Sequence, residues 1–307
     1  MSRRGGLLFG AMCVIWGVPY LLIKVAVRDI GPAELVFVRT AIGAVLLLPI
    51  AIARTELRAS LRPWLPLLVY TVLEIGVPWL LLSDAERRVD SSLSGLVIAG
   101  VPLVAAVLAR LGNGGDRLNA QRVAGLFAGI AGVGLLLGFH GGTAGARPIL
   151  ELLGVVVCYA SGPLIIERWL SSVPRYGVSA ASLVLGAVLF APVAVPKLPD
   201  LARHVSPEAA LAALALAVVC TALAFVLFFA LIAEVGGARA TVITFVNPAV
   251  AVVLGALLLH ERITVVTVVA FALILVGSVL STRRPAAVAE AAPVGAELPT
   301  GSGRTSG

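Results

Sequence analysis

Apolar residues run through this chain in long unbroken stretches, without the three-to-four or two-residue rhythm of a half-buried soluble helix or strand. The stretches fall at about 6–27, 31–53, 64–83, 91–110, 121–139, 149–167, 178–196, 208–233, 239–259 and 264–282. Each is close to the ~20 residues that carry an α-helix across a bilayer core. Polar residues gather in the short connections between them. The pattern predicts an all-α integral membrane protein with ten transmembrane helices.

The pattern is written twice, over 1–140 and again over 147–282, with five segments in each copy. Five is odd, so the second copy is expected to enter the membrane inverted relative to the first. Matched positions support the register. Pro19 and Lys24 precede Pro163 and Arg168 by 144 residues, Gly43 and Pro49 precede Gly186 and Pro192 by 143, and Pro102 precedes Pro248 by 146. Arg117, Leu118 and Gly132 match Arg262, Ile263 and Gly277 at 145. Inverted halves of this kind are the architecture of secondary transporters, which rock around a central site.

Composition agrees with lipid as the solvent: 60% of residues are hydrophobic, 13% are charged and the mean hydropathy is +1.06, too apolar for a soluble domain of this length. The net charge of +7 comes from residues at segment ends, which argues against a nucleic-acid partner and for topology signals. With the N-terminus cytoplasmic, inner loops and tails hold fourteen Lys and Arg residues against seven in the outer loops. Both termini are therefore expected in the cytoplasm. Ser2-Arg3-Arg4 before an apolar run imitates a twin-arginine export signal, but the run is too long for one and nine more spans follow. The tail, 283–307, turns to Ala, Pro, Gly, Glu, Ser and Thr and is expected to be disordered.

The stretch from Phe228 through Ala230-Leu231 to Ala240, then Asn247-Pro248, then Leu257 to Glu261-Arg262-Ile263-Thr264 and Gly277, resembles the EamA repeat of the drug/metabolite transporter superfamily. Pro102, Asp116-Arg117-Leu118-Asn119, Gly125 and Gly132 resemble a diverged first copy, with Asp116 where the family has Glu. Trp16-Gly17, Lys24-Val25-Ala26, Pro32 and Arg39 resemble the family's opening. The resemblance covers about 7–282. It implies ten helices in two inverted repeats, a bacterial inner membrane and movement of small metabolites.

Several chemistries are missing. Lys24 and Lys197 are the only lysines, and neither completes a phosphate-binding loop, so no nucleotide-driven motor is expected. His140, His204 and His260 lack ligand spacing, and Cys13, Cys158 and Cys220 fall inside apolar helices, so neither a metal nor a cofactor is expected. Energy is expected from an ion gradient or from the solute's own.

Polar groups at depth are the candidate site. Glu74 lies near the middle of the third helix, where an ionised side chain costs about 2.5 to 3.5 kcal/mol. Arg39 lies about 12 Å into the second helix at 1.5 Å per residue, and a Glu74–Arg39 pair facing the bundle interior is expected. Glu74 is also the candidate proton-coupling group. Arg39, which the family shares, has a partly architectural reading as well. Trp16, Tyr20 and Lys24 recur at i, i+4 and i+8 on one stripe of the first helix. Trp16 and Tyr20 are candidate solute contacts; Lys24 is read as snorkelling to the outer surface.

Tyr159 and Asn247 complete the candidate binding set, although Asn247 beside Pro248 also reads as a backbone cap. For Phe225, Phe228 and Phe229 core packing is favoured. Pro19, Pro102, Pro163 and Pro248 each free a carbonyl at depth and mark helices one, four, six and nine as the kinked, moving set. Gly125 with Gly129, and Gly134 with Gly138, make the fifth helix a close-packing surface for scaffold or dimer contact. Asp116-Arg117 and Glu261-Arg262 read as structural turns and gates.

The sequence thus reads as an alternating-access carrier of a small amphipathic solute such as an amino acid, working in efflux, with Glu74 as candidate coupling group. A membrane-embedded enzyme and a non-transporting scaffold are the rival readings. The enzyme reading lacks a nucleophile or metal beside the one deep carboxylate, and the scaffold reading leaves the repeated prolines without a use.

Overall fold

The computed structural model describes residues 2–113 and 120–282. The Asp116-Arg117 turn and the 283–307 tail lie outside the described residues. Within them every regular element is helical. In chain order the main runs are α1 (Arg3–Ala26), α2 (Pro32–Ala53), α3 (Trp64–Ala85), α4 (Ser91–Leu108), α5 (Ala120–Ala144), α6 (Ala146–Leu170), α7 (Arg175–His204), α8 (Pro207–Val235), α9 (Ile243–Leu258) and α10 (Val265–Thr282). Seven of them, all but α5, α9 and α10, are long and apolar enough to cross a membrane; the other three hold shorter apolar stretches. α7 runs on through Pro196 and Pro199 to His204, where the hydropathy pattern places an outer loop from residue 197.

Helix starts follow local chemistry. Gly31 and Ser206 precede Pro32 and Pro207, whose missing N–H is harmless in a first turn. Ser206 Oγ accepts from Ala209 N at 3.3 Å, and Ser2 Oγ accepts from Gly5 N at 2.9 Å.

The four prolines expected to kink helices alike are of two kinds. Pro19 and Pro102 stand in the first turn of a helix that restarts, after breaks at Trp16–Val18 and Ala99–Gly100. Pro163 and Pro248 lie inside continuous helix. Three wide π-helical turns add further bends: Val72–Gly76 in α3, Ile166–Leu170 in α6 and Val218–Leu223 in α8. Such turns loosen the backbone ladder and recur at functional positions.

Helices pack in pairs: α2 on α7, α4 on α9, α5 on α10, α3 on α6 and α1 on α8. The α5–α10 contact is backbone-close, since a Cβ at Gly277 would come 2.7 Å from Gly129 Cα and one at Gly125 would come 2.6 Å from Leu280 Cβ. Gly125 and Gly129 therefore serve contact within the chain, while Gly134 and Gly138 face open space.

Polar contacts sort into two ends. At one, Ser2 bonds Glu234, Arg54 lies over the Tyr176 ring at 4.5 Å and Gly177 N donates to Glu56 Oε2 at 3.0 Å. At the other, Asp29 receives Ser206, Lys197 pairs with Glu34 at 2.6 Å, and Arg147 pairs with Asp84 at 2.6 Å and Glu151 at 2.8 Å.

Candidate functional site

Arg39 and Glu74, the two charges expected to pair, are not joined: no ion pair between them occurs among the described residues. The Arg39 guanidinium instead lies over the Trp79 ring, 3.5 Å from its centroid, and Nε donates to Thr221 Oγ1 at 2.8 Å. Sequence gives the depth of both residues but not their rotation about the helix axes, and the wide turn at Val72–Gly76 departs from the ordinary helical count between Glu74 and Trp79. A guanidinium stacked on an indole keeps its charge while shedding water, a geometry lysine cannot copy.

Glu74 sits in that same wide turn. Its Oε2 is buried without a hydrogen-bond partner among the described residues, and Gly162 of α6 is the seat: a Cβ there would run into the carboxylate. Tyr70, Cys158 and Tyr159 are close enough to interact with it electrostatically. Tyr159 also faces Trp79, Arg39 and Tyr20. Four predicted residues, Tyr20, Arg39, Glu74 and Tyr159, therefore converge between α1, α2, α3 and α6, joined by Trp79 and by Thr221 and Cys220 of α8.

Trp16 and Asn247 lie apart from this group. The break at Trp16–Val18 interrupts the α1 stripe, and Trp16 packs on Phe228 with 4.6 Å between centroids, among Met12, Cys13 and Leu231. Asn247 is buried, and with its amide nitrogen facing the acceptors it donates to Cys13 O at 3.2 Å and Ile243 O at 2.9 Å. Cys13 O is the carbonyl that the break leaves over, since Gly17 N turns to Val14 O. Asn247 thus caps freed backbone.

Lys24 does not snorkel. It is half-buried, and its Nζ donates to Glu86 O and Val89 O at 2.7 Å each, tying α1 to the carbonyls that end α3. Phe225 and Phe228 pack against the buried core, as expected, although both are only half-buried; with Phe229 they form an aromatic row, and Phe229 is edge-on to Tyr176 at 4.9 Å.

Glu261 is an acceptor at a helix start. Ser91 N, Ser91 Oγ and Ser92 N donate to its carboxylate at 2.7, 2.9 and 2.9 Å, so an anion from the α9–α10 turn meets the positive end of α4. His260, at φ 57°, takes the left-handed position that aims it. Thr55, at φ 56°, does the same for Glu56, which accepts Gly177 N at the start of α7. Glu34, Glu56 and Glu86 escaped sequence reasoning because carboxylates near span ends read as ordinary loop residues.

A model of the EamA-like transporter family matches residues 3–138 and 147–283. The chain is similar to the uncharacterized transporter YvbV of Bacillus subtilis, at 26% identity over 96% of each chain. It is also similar to the uncharacterized inner membrane transporter YedA of Escherichia coli K12, at 30% identity over 90% of each. A protein of solved crystal structure shares the fold with a TM-score of 0.63 at 21% identity, over 92% of this chain and 97% of that one. Two family matches, relatives along nearly the whole length and a helical membrane bundle with polar groups at its centre together place this chain in the EamA-like transporter family.

Proposed function

We propose that the protein is an alternating-access carrier of ten transmembrane helices, built as two inverted repeats over 1–140 and 147–282, that exports a small zwitterionic or amphipathic solute such as an amino acid across the bacterial inner membrane. Both termini are cytoplasmic in this reading, by the excess of Arg in the loops at their end. The packing supports the repeats. If α1–α5 correspond to α6–α10, then α2·α7, α4·α9 and α5·α10 each join counterparts, and α3·α6 exchanges with α8·α1. The wide turns at Val72–Gly76 and Val218–Leu223 start 146 residues apart, the same offset as Pro102 and Pro248.

The observation that carries the solute class is the separation of the two charges. Glu74 Oε2 has no hydrogen-bond partner among the described residues, and Arg39 is held by Trp79 and Thr221 rather than by Glu74. An ammonium for Glu74 and a carboxylate for Arg39 complement that arrangement, and Tyr20 and Tyr159 supply hydroxyls between them. Glu74 is the proton-coupling group of this reading.

Efflux of a labelled amino-acid panel from proteoliposomes, with and without an imposed pH gradient, tests it. Gradient-driven flux present in the native chain and lost in a folded Glu74→Gln supports the coupling role. Flux insensitive to that substitution removes Glu74 from the mechanism, and no flux of any solute refutes the carrier reading.

A further inference from the structure

Glu86, the residue that follows α3, is 0% exposed, and both of its carboxyl oxygens are buried without a hydrogen-bond partner among the described residues. Beside it lies Ser94 Oγ of α4, also buried. Fully buried carboxylates are paired or neutral, because an isolated buried charge is too costly to keep. Among the described residues no cation bonds this one: the Lys24 ammonium reaches the backbone carbonyls of Glu86 and Val89 instead. Arg88 and Arg147 are drawn off to Asp84 and Glu151 on the exposed side of the same end.

We propose that Glu86 is a proton-binding site at the end of the bundle that Glu261 closes: it holds a proton while that end is shut and releases it to water when α1 and α4 part from the α3 turn. The groups facing it are Lys24 and Tyr20 from α1, Ser94 from α4 and Glu261 from the α9–α10 turn. Burial pushes the Glu86 carboxyl well above the usual carboxylate range; Lys24 and Ser94 oppose this and Glu261 adds to it. The sign follows. A pKa raised in the shut form and ordinary in the hydrated form stabilises the shut form at low pH, and that advantage fades as pH rises toward the raised value. Between the two values each pH unit changes the ratio of shut to open by up to about tenfold. This site lies a helix end away from Glu74, so its proton is a second one. How a transport cycle would use it rests on the carrier reading; its binding does not.

Leu96, fully buried on α4 one turn inside Ser92, is the reporter. In nanodiscs, with Cys13, Cys158 and Cys220 replaced by Ala, the labelling rate of Leu96→Cys by N-ethylmaleimide is compared with and without Glu86→Gln from about pH 5.5 to about 8.5. The Gln variant carries the pH dependence of thiol chemistry and of Lys24, Tyr20 and Glu261. The native-to-Gln ratio is expected to rise about tenfold toward alkaline pH; a flat ratio overturns the proposal. Infrared difference spectra between the same pH values give a second reading that needs no Gln variant. The protonated-carboxyl band lost on the alkaline side must shift in Glu86→Asp, and an unmoved band overturns the proposal. Neither measurement uses a transported solute, so failure here is distinct from failure of the carrier reading.

Discussion

Removing the Glu261 carboxylate should loosen the α4–α9 contact more than any other single surface-end change. The carboxylate accepts three bonds, from Ser91 N, Ser91 Oγ and Ser92 N. Hydrogen bonds to a charged group contribute about 1.5 to 3 kcal/mol each, but three on one carboxylate share a single charge and do not sum. Glu261→Ala leaves two amides at the start of α4 without acceptors, at about 1 to 3 kcal/mol apiece, and deletes the charge facing the helix dipole, about 0.3 to 1 kcal/mol. The expected loss is about 2 to 7 kcal/mol. Glu261→Gln keeps one acceptor oxygen and should lose about half of that.

Equilibrium unfolding of the purified protein in mixed micelles gives the energies, and hydrogen exchange at the Ser91 and Ser92 amides locates them. Gly255→Ala is the internal control, because its Cβ would meet Glu261 Oε2 and come 3.0 Å from Ser91 Oγ. It should reproduce part of the loss, and the double variant with Glu261→Ala should be less than additive. If Ala and Gln variants both stay within about 0.5 kcal/mol of the native chain, with unchanged exchange at Ser91 and Ser92, the reasoning is refuted.

Arg39→Lys removes the planar stack on Trp79 and the Nε bond to Thr221, and should cut solute flux about tenfold with the fold intact; flux within twofold of native would show that a point charge suffices. His260→Gly relieves a left-handed residue at φ 57° and should raise unfolding stability by up to about 1 kcal/mol, read in the same micelle titration; a loss would show that the His260 side chain, not its backbone, holds the turn. Asp29 is held below the usual carboxylate range by its bonds from the Ser206 hydroxyl and N–H. Its contribution is therefore present at neutral pH and lost as pH falls below about 4. Melting curves of native and Asp29→Asn should differ slightly at neutral pH and converge in acid; an equal gap at both would remove the ionic bond from the account.

Helix positions were legible because a bilayer demands long apolar runs whatever their neighbours. Chemistry at the centre was legible only as depth. Glu74 and Arg39 stood out because charges are rare there, yet which way each turned depended on the wide turn at Val72–Gly76 and on Trp79, and nothing in the hydropathy pattern marks a sixth residue inserted into a helical turn. The α1 stripe of Trp16, Tyr20 and Lys24 presumed a continuous helix, and the break at Trp16–Val18 sends Trp16 to α8 and leaves Tyr20 with the central group. Lys24 was misjudged because an amine near a span end reads as bound for water, whereas the carbonyls that end α3 offered it two acceptors. Glu261 and its turn were legible as structural from the paired motif, but its partner Ser91-Ser92 lies 170 residues away and only the fold reveals it.

Both ends of the bundle use one device. A non-glycine residue in the left-handed region, Thr55 or His260, ends a helix, and the glutamate that follows caps the start of another helix. Glu56 joins the end of α2 to the start of α7, and Glu261 joins the end of α9 to the start of α4. In the carrier reading these are counterpart pairs, one at each face of the membrane. Opening a face then requires withdrawing a carboxylate from a helix start, a local and reversible event. The two are unequal in this conformation. Glu261 accepts three bonds and Glu56 accepts one backbone bond, so the Glu261 end is the more firmly shut. Lys24 and Glu86 lie behind that end, which is why protonation of Glu86 would bias this face and leave the Glu56 face untouched.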